Sequence, residues 1–152
     1  MSDEIFMQAA HAEAEKAAAN GEVPIGAVAV KDGVIVARAH NLVETLHSVT
    51  GHAEFQLLHA LEKQISDWRM SDYTFYVTKE PCPMCAGMII NSRVKRVVFG
   101  LKDPNGGAFG GAFNLNDLPG LLWHCEISSG ILEEESREII QKFFKQRRNK
   151  EK

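Results

Sequence analysis

The chain has 152 residues, of which 45% are hydrophobic and 24% charged, which is the composition of one globular domain with a core large enough to fold without disulfides. Its net charge of −3 excludes a protein that binds polyanions through its overall charge. No apolar run approaches the roughly 20 residues of a membrane span, and the acidic N-terminus lacks the features of a signal peptide, so we expect a cytoplasmic protein without a membrane partner.

The first part of the sequence predicts a helix followed by a β-hairpin. Residues 3–19 carry apolar side chains at helical spacing, and Asn20-Gly21 ends that pattern. After Pro24, two apolar runs flank Asp32-Gly33, a dipeptide typical of two-residue hairpin turns. The first of these runs has no polar position, which indicates a strand buried on both faces.

The rest of the sequence predicts helices and strands in alternation. A polar loop leads into a helix over 52–63, whose expected buried residues are Phe55, Leu58 and Leu61. Strands are predicted over 73–78 and 94–99, further helices over 83–91 and 132–148, and a loop over the glycine-rich residues 106–111. This order favours a three-layer α/β fold with a mixed sheet, antiparallel at its first pair and parallel further on. No linker divides the chain, so residues 1–152 are expected to form a single domain.

Two cysteines, Cys82 and Cys85, stand at the start of the helix predicted over 83–91. This spacing fits a redox couple, half of a structural zinc site, or two ligands of a catalytic metal. His52 begins another predicted helix, 30 residues before Cys82. Two such helices can direct their N-termini to one crevice at the strand ends. One imidazole and two thiolates suit zinc and leave its fourth position open for water.

A structural zinc site would need a fourth protein ligand, which His124 or Cys125 would have to supply. Glu54 favours a catalytic site instead. Its carboxylate lies two residues from His52 and could reach a metal-bound water without binding the metal. Because a metal lowers the pKa of such a water toward 7, Glu54 could take its proton and pass it on.

The pattern formed by His52, Glu54, Pro81, Cys82 and Cys85 matches the H-x-E and P-C-x-x-C signature of zinc-dependent nucleobase deaminases. Further matching blocks are G-E-V-P-I-G-A-V at 21–28, A-R-A-H-N at 37–41, Y-V-T-K-E-P-C-P-M-C-A-G at 76–87, S-R-V-K-R-V-V-F-G at 92–100 and F-F-K-Q-R-R at 143–148. On these residues the chain resembles the cytidine-deaminase-like superfamily, most closely the bacterial tRNA-specific adenosine deaminases. The resemblance implies an α/β/α sandwich with a central mixed five-stranded sheet, assembled as a homodimer.

The resemblance also implies an activity, in which the wobble adenosine of a tRNA anticodon loop is converted to inosine with release of ammonia. His52, Cys82 and Cys85 would hold one zinc ion per subunit. Water activated by that zinc would replace the amine at C6 of adenine. Glu54 would protonate the ring and then the leaving amine.

Three further residues are implied as substrate contacts. Backbone N–H groups near Ala53 and Cys82 would face the developing charge at C6. Asn41 matches the family residue that contacts the base, and Asp103 matches a position near the substrate sugar. Without the resemblance, Asn41 could equally cap a turn, and the sequence Asp-Pro-Asn-Gly at 103–106 is typical of a turn.

Residues 142–152 form a basic tail with six Lys or Arg and one Glu, a balance of +5 that leaves −8 for residues 1–141. This tail predicts either a contact with phosphates or a solvated helix end. By the resemblance, Phe144, Lys145, Arg147 and Arg148 lie where the last helix of the family meets the anticodon stem-loop. Phe144 could equally belong to the core.

Three departures from the tRNA branch leave the substrate open. Pro83 stands where valine is usual, Gly51 where alanine is usual, and Trp123-His124-Cys125 where Asn-His-Arg is typical. Proline at position 83 is familiar in guanine deaminases of the same superfamily. A deaminase of a free base or nucleoside, guanine first and then cytosine or adenine, is therefore an alternative. A third hypothesis is a non-catalytic zinc module that binds RNA.

Overall fold

The computed structural model describes residues 2–151, so Met1 and Lys152, the two ends of the predicted domain, lie outside the described residues. Helix α1, Asp3–Ala19, confirms the first predicted element and buries one face. The hairpin consists of β1, Gly26–Lys31, and β2, Val34–His40. Its turn residues have positive φ angles, 52° for Asp32 and 75° for Gly33, as a two-residue turn that matches the twist of the strands requires.

The remaining predicted helices and strands are present, together with α2, Val43–Leu46, and β5, Glu126–Ser129, which the local pattern did not predict. The bounds of the others are α3 Ala53–Glu62, β3 Thr74–Lys79, α4 Pro83–Asn91, β4 Arg96–Leu101 and α5 Glu133–Glu151. The loop before His52 is more ordered than expected, because it contains α2 and a 3-10 turn at Val49–Gly51. The fourth strand continues through Gly100, where we expected it to end.

The five strands form one mixed sheet in the order β2-β1-β3-β4-β5, as the resemblance implied. Both neighbours of β1 are antiparallel to it, so the antiparallel part extends one strand further than predicted. The pairs β3–β4 and β4–β5 are parallel. Consequently the carboxyl ends of β3 and β4 lie side by side, with Lys79 opposite Leu101. The first residues after these two strands therefore meet at one edge of the sheet.

Helices cover both faces of the sheet. On one face Phe6, Met7 and Ala10 of α1 pack on a cluster that includes Val28, Tyr76 and Val98. The larger cluster on the other face includes Leu57 and Leu61 of α3 and Ala86 and Ile89 of α4. The predicted buried face of α3 was partly wrong, since Phe55 and Leu58 are half-buried and Ala53, Glu54, Leu57 and Leu61 are buried.

The last helix, α5, packs against β4, β3 and α1 on the face that α1 covers. The apolar side chains of this helix are only partly buried. Ile139, Ile140 and Phe143 are half-buried, whereas Phe144 is 38% exposed and stands edge-on to Phe143. The core alternative for Phe144 was therefore wrong, because α5 buries only a narrow stripe of apolar residues against β4, β3 and α1.

Gly26 allows the close contact between α1 and β1. A methyl group at Gly26 would collide with the backbone oxygen of Ala10 and the backbone nitrogen of Ala14, and neither can retreat without moving the helix. We expect Gly26→Ala to lower the free energy of unfolding by about 2–3 kcal/mol, measured by urea denaturation. The matched control is Gly87→Ala inside α4, where nothing lies within 4 Å of the added methyl group. That variant should be as stable as the wild type or more stable, since alanine favours a helix. Equal losses of unfolding free energy in both variants would contradict the role of Gly26 in the contact between α1 and β1.

None of the helices in the described part of the chain has both the length and the apolar content needed to cross a membrane.

Candidate active site

Two helix starts supply the side chains of the site. His52 is the residue before the first turn of α3, and Cys82 is the residue before the first turn of α4. Pro83 occupies the first helical position of α4, where its fixed φ angle favours the helix and its missing N–H costs nothing. Cys85 lies one turn further along and is fully buried. The sequence therefore places all three side chains where their two helices begin.

The three donor atoms are already spaced for one metal ion. The Nδ1 atom of His52 lies 3.6 Å from Sγ of Cys82 and 3.4 Å from Sγ of Cys85. With Zn–S bonds of about 2.3 Å and Zn–N bonds of about 2.0–2.1 Å at a tetrahedral angle, the nitrogen and sulfur atoms would be about 3.5–3.6 Å apart. All three donors lie within 4.8 Å of one another, and over the described residues this is the one such group. The predicted ligands thus form a metal-binding group.

The alternative of a fourth protein ligand was wrong. Cys125 is buried and lies outside the group, held by backbone hydrogen bonds to the side chain of Asn116. Burial raises the pKa of its thiol to about 12, which keeps it protonated. His124 is exposed and is likewise outside the group. One coordination position therefore has no protein donor among the residues that the structure describes.

The two thiols of the group differ in acidity when no metal is present. The hydrogen bond from the Cys85 thiol, joined by the one from His52, lowers the pKa of Cys82 to about 4. The same hydrogen bond and burial raise the pKa of Cys85. The pair thus shares one proton between its sulfur atoms, which a metal ion would release on binding.

Glu54 lies in the first turn of α3 and is buried, with 4% of its surface exposed. Burial raises the pKa of its carboxyl group to about 7. Its side chain lines the same cavity as His52 and Cys82. The structure thus brings the predicted acid–base residue beside the three donors without making it one of the metal-binding group.

The cavity at this site has a volume of about 290 Å³. It lies at the edge of the sheet where β3 and β4 end. The residues that line it are Glu22, Val23, Ile25, Asn41, Val43, Glu44, His52, Ala53, Glu54, Lys79, Glu80, Cys82 and Asp103. All three predicted substrate contacts, Asn41, Ala53 and Asp103, are among them.

Asn41 is buried and its orientation is fixed by two hydrogen bonds. Its Nδ2 group donates to the carbonyl oxygen of Val23 at 3.2 Å, and its Oδ1 atom accepts from the N–H of Val43 at 3.1 Å. The turn-capping role considered for Asn41 is therefore present. An amide has two N–H donors and two acceptor positions, so half of its capacity stays available toward the cavity.

Asp103 lies just beyond the end of β4 and faces Lys79 at the end of β3. Its Oδ1 atom accepts from the N–H of Asn105 at 2.9 Å, which is the predicted turn, and its Oδ2 atom lies 3.4 Å from Nζ of Lys79. Burial acts to raise the pKa of Asp103, but the Asn105 hydrogen bond and the charge of Lys79 outweigh it and hold that pKa below its usual value. Asp103 is therefore ionised and points along the cavity wall.

Two buried glutamates that we did not predict hold the loops around the cavity. Glu80 accepts backbone N–H groups from Asp103, Phe109 and Gly111 at 2.9–3.0 Å. Glu22 accepts the N–H groups of Glu44 and Thr45, at 3.0 and 2.7 Å. Each glutamate stands next to an apolar strand in the sequence, in G-E-V-P and K-E-P-C, which suggests burial. Because a buried carboxylate needs hydrogen-bond donors, this position in the sequence could have predicted that Glu22 and Glu80 bind nearby backbone N–H groups.

The three departures from the tRNA branch do not line the cavity. Pro83 is exposed on α4, and Trp123 donates its Nε1 hydrogen to the carbonyl oxygen of Val94. Gly51 is explained by packing, because a methyl group there would lie 2.7 Å from Cα of Val43. None of these residues therefore contributes a side chain to the cavity wall.

The predicted RNA-contact residues lie away from the cavity. Phe144, Lys145, Arg147 and Arg148 are all exposed near the end of α5, on the opposite side of the sheet from α3 and α4. They form a separate basic surface, so any substrate that reaches both regions must be larger than a base.

A mixed sheet between helix layers and a His/Cys/Cys group beside a buried glutamate define the class of metal-dependent deaminases. A sequence model of the MafB19-like deaminase family matches residues 1–148. The chain is 47% identical over 150 residues to a tRNA-specific adenosine deaminase of Bacillus subtilis, covering 99% of this chain and 93% of that protein. The chain therefore belongs to the deaminase family, together with the tRNA-specific adenosine deaminases, as the resemblance predicted.

Solved structures agree with this membership. One from a study of A-to-I editing by tRNA:A34 deaminases superposes with a TM-score of 0.83 at 38% identity, over 89% of this chain and 98% of that chain. A guanine deaminase from Bacillus subtilis gives a TM-score of 0.62 at 36% identity, over 66% of this chain and 64% of that chain. The likeness to the tRNA deaminase thus extends over more of both chains.

Proposed function

We propose that this protein is a zinc-dependent hydrolytic deaminase that converts the wobble adenosine of a tRNA anticodon loop to inosine. The observation that carries the proposal is the buried Glu54 beside the group of His52, Cys82 and Cys85, in one cavity at the strand ends. The substrate follows from the tRNA-specific relatives, which match the chain from end to end.

His52, Cys82 and Cys85 would hold one zinc ion per subunit. Their mixture of nitrogen and sulfur donors is the one zinc prefers, and their spacing fits its bond lengths. When bound, zinc would lower the pKa of a coordinated water and so supply a nucleophile at neutral pH. Because no fourth donor joins the group among residues 2–151, a catalytic ion is favoured over a structural one.

Glu54 would carry the protons of the reaction. Its carboxylate takes one proton from a water molecule as the oxygen of that water bonds to C6, and it delivers this proton to N1 of adenine. It then moves the second proton of the water, now on the C6 hydroxyl, to the amine. The C6–N bond breaks, the C6–O bond becomes the carbonyl of inosine, and ammonia leaves. Positioned acid–base groups of this kind contribute about 10²- to 10⁴-fold to a rate.

Asn41, Ala53 and Asp103 would position the nucleotide. The amide of Asn41 is held rigid by its two backbone partners and can offer its remaining donor and acceptor to a base edge. Ala53 is the first residue of α3. Its backbone N–H therefore has no partner within the helix and can donate to the reacting group. Asp103 would face the sugar. A target base must leave its stack to enter the cavity, which costs least in a loop.

A free-base deaminase, guanine first, is the second candidate, favoured by the 36% identity to a guanine deaminase over two thirds of the chain. The residues that suggested it, Pro83 and Trp123-His124-Cys125, do not line the cavity. A non-catalytic RNA-binding module is disfavoured by Glu54, because burying a carboxylate beside the metal-binding group costs free energy that a catalytic role would explain.

Ammonia release from a panel of substrates tests the proposal. The panel holds an anticodon stem-loop with adenosine at the wobble position, then guanine, adenine, cytosine and their nucleosides, with Glu54→Ala as the blank. We expect turnover on the stem-loop alone. Turnover on a free base with the RNA unchanged would establish the second candidate. A wild type as inactive as the blank on all substrates would leave the non-catalytic module.

The exposed basic surface formed by Lys145, Arg147 and Arg148, with Phe144, would bind the stem of the same RNA. We expect replacement of the three cations by glutamine to weaken stem-loop binding by about tenfold or more at low salt. The slope of log K against log salt should also become shallower by about two to three, since each lost phosphate contact removes about 0.7–0.9. Filter binding at several salt concentrations measures both.

The control for the basic surface replaces three other exposed cations, Lys63, Arg69 and Lys95, by glutamine. This variant has the same net charge, so a general charge effect would weaken binding equally in both. If the two variants have the same salt slope, α5 does not contact the RNA.

We also propose a homodimer that acts in the cytoplasm, where tRNA is used. Leu46 and Val49 support the dimer, because 49% and 70% of their surfaces are exposed in the loop that leads into His52. A second subunit placed there would cover them and complete the surroundings of the cavity. Light scattering measures the mass, and a monomer at micromolar concentration would contradict the assembly.

A further inference from the structure

We propose that Lys79 determines substrate specificity by binding a phosphate of the polynucleotide next to the target adenosine. This inference rests on the proposed function and adds the residue that would distinguish a nucleotide within an RNA chain from a free base. It makes Lys79 part of the substrate site, beside the residues that face the base and the sugar.

The charge of the cavity wall requires such a residue. Its lining contains five acidic residues, which are Glu22, Glu44, Glu54, Glu80 and Asp103. Among the described residues that line the cavity, Lys79 is the only Lys or Arg. A wall of this sign repels a phosphodiester chain, because narrow clefts focus the field of their charges. A cation within the lining would therefore stabilise the backbone of the substrate where it passes these carboxylates.

Lys79 lies where that backbone must pass. It is the last residue of β3, three residues before Cys82, and its side chain is 32% exposed. Its Nζ atom lies 3.4 Å from Oδ2 of Asp103, the residue that would face the sugar. A phosphate is joined directly to the sugar on either side, so a group beside Asp103 lies within reach of it.

The ammonium group of Lys79 also has hydrogen-bonding capacity to spare. Its distance of 3.4 Å to Asp103 exceeds the roughly 2.7–2.9 Å of a strong charge-assisted hydrogen bond. An ammonium group has three N–H donors, and this contact uses at most one. Asp103 holds the side chain over the cavity, and the remaining donors can bind a phosphate oxygen. Contacts to phosphate fix the position of a nucleic acid, and a free base offers none.

Lys79→Met tests the contact, since methionine keeps most of the length of the side chain without its charge. On the stem-loop we expect KM to rise about five- to tenfold and kcat to stay within about twofold. The salt slope of binding should become shallower by about 0.7. Lys79→Arg should restore KM to within about twofold of the wild type, because it restores the cation.

A substrate change separates a phosphate contact from an indirect effect through Asp103. One stem-loop carries an uncharged methylphosphonate at the linkage on the 5′ side of the target, and another carries it on the 3′ side. For one of them, wild-type KM should rise by the same five- to tenfold as Lys79→Met on normal RNA. The KM of the Lys79→Met variant should be the same on that substrate as on normal RNA.

The charge control is Lys95→Met. Lys95 is exposed just before β4, at the opposite end of the sheet from the cavity, about 20 Å away along the strand. It should behave as the wild type on all three substrates. If Lys79→Met still loses affinity with both methylphosphonates, or matches the wild type on normal RNA, the phosphate contact is overturned. Absence of turnover by the wild type on normal RNA would instead overturn the proposed function.

Discussion

Replacing Glu54 with glutamine is expected to reduce kcat on the wobble-adenosine stem-loop about a thousandfold while the metal stays bound. Glutamine has the shape of glutamate but can neither accept a proton from water nor deliver one to N1 of adenine. Because Glu54 is not one of the metal-binding group, its loss removes no ligand. Single-turnover measurement of inosine formation, together with metal analysis of the same sample, tests both parts of the prediction.

The stability of Glu54→Gln distinguishes a chemical defect from a folding defect. The side chain is 4% exposed, and a neutral amide is easier to bury than a carboxylate. We therefore expect the free energy of unfolding to stay unchanged or to increase. The matched control is Glu44→Gln, a carboxylate that lines the same cavity but is exposed. It should keep kcat within about threefold, because the charge of an exposed carboxylate is screened by water. If Glu54→Gln retains a tenth of the wild-type activity, Glu54 does not carry the protons.

The parts of this molecule that were predictable from sequence are those specified by local chemistry. Asp32-Gly33 adopts the two positive φ angles that its residue types favour, and the hairpin follows from it. His52 and Cys82 precede helices as expected. The meeting of the three ligands could therefore be predicted from two helices that begin at the same edge of the sheet. Glu54 was predictable for the same reason, since its distance from His52 along one turn is fixed by the helix.

The parts that were missed depend on contacts between distant segments. The strand β5 has the sequence E-I-S-S, with one apolar residue, and it forms because β4 offers a parallel partner at the edge of the sheet. Glu22 and Glu80 hold loops that follow them by more than 20 residues, and no local pattern marks such a pairing. The shallow packing of α5 was missed because the spacing of its apolar residues predicts a helix but not how deeply that helix is buried. Lys79 was missed because its importance arises from the acidic residues around it.

Removing one metal ligand is expected to abolish activity, the second large effect that we predict. The cysteines of the chain provide a matched comparison. We expect Cys85→Ser to lose its zinc and to fall to the activity of the blank, since two remaining donors do not define a zinc site. Cys125→Ser should keep both zinc and activity. Both thiols are buried, with 0% and 5% of their surfaces exposed, so both substitutions place a hydroxyl in the interior. Of these two cysteines, only Cys85 belongs to the metal-binding group.

Thermal unfolding with and without a chelator gives a second measure that does not require turnover. A metal that binds only the folded chain stabilises it by about 2.7 kcal/mol at a free concentration one hundred times its Kd. A chelator should therefore lower the Tm of the wild type and of Cys125→Ser, but leave the Tm of Cys85→Ser unchanged. If Cys85→Ser still responds to the chelator, or if Cys125→Ser does not, the ligand set is wrong. A response in both serine variants with activity lost only in Cys85→Ser would mean that the metal is held without Cys85, and that this thiol acts on the reaction in another way.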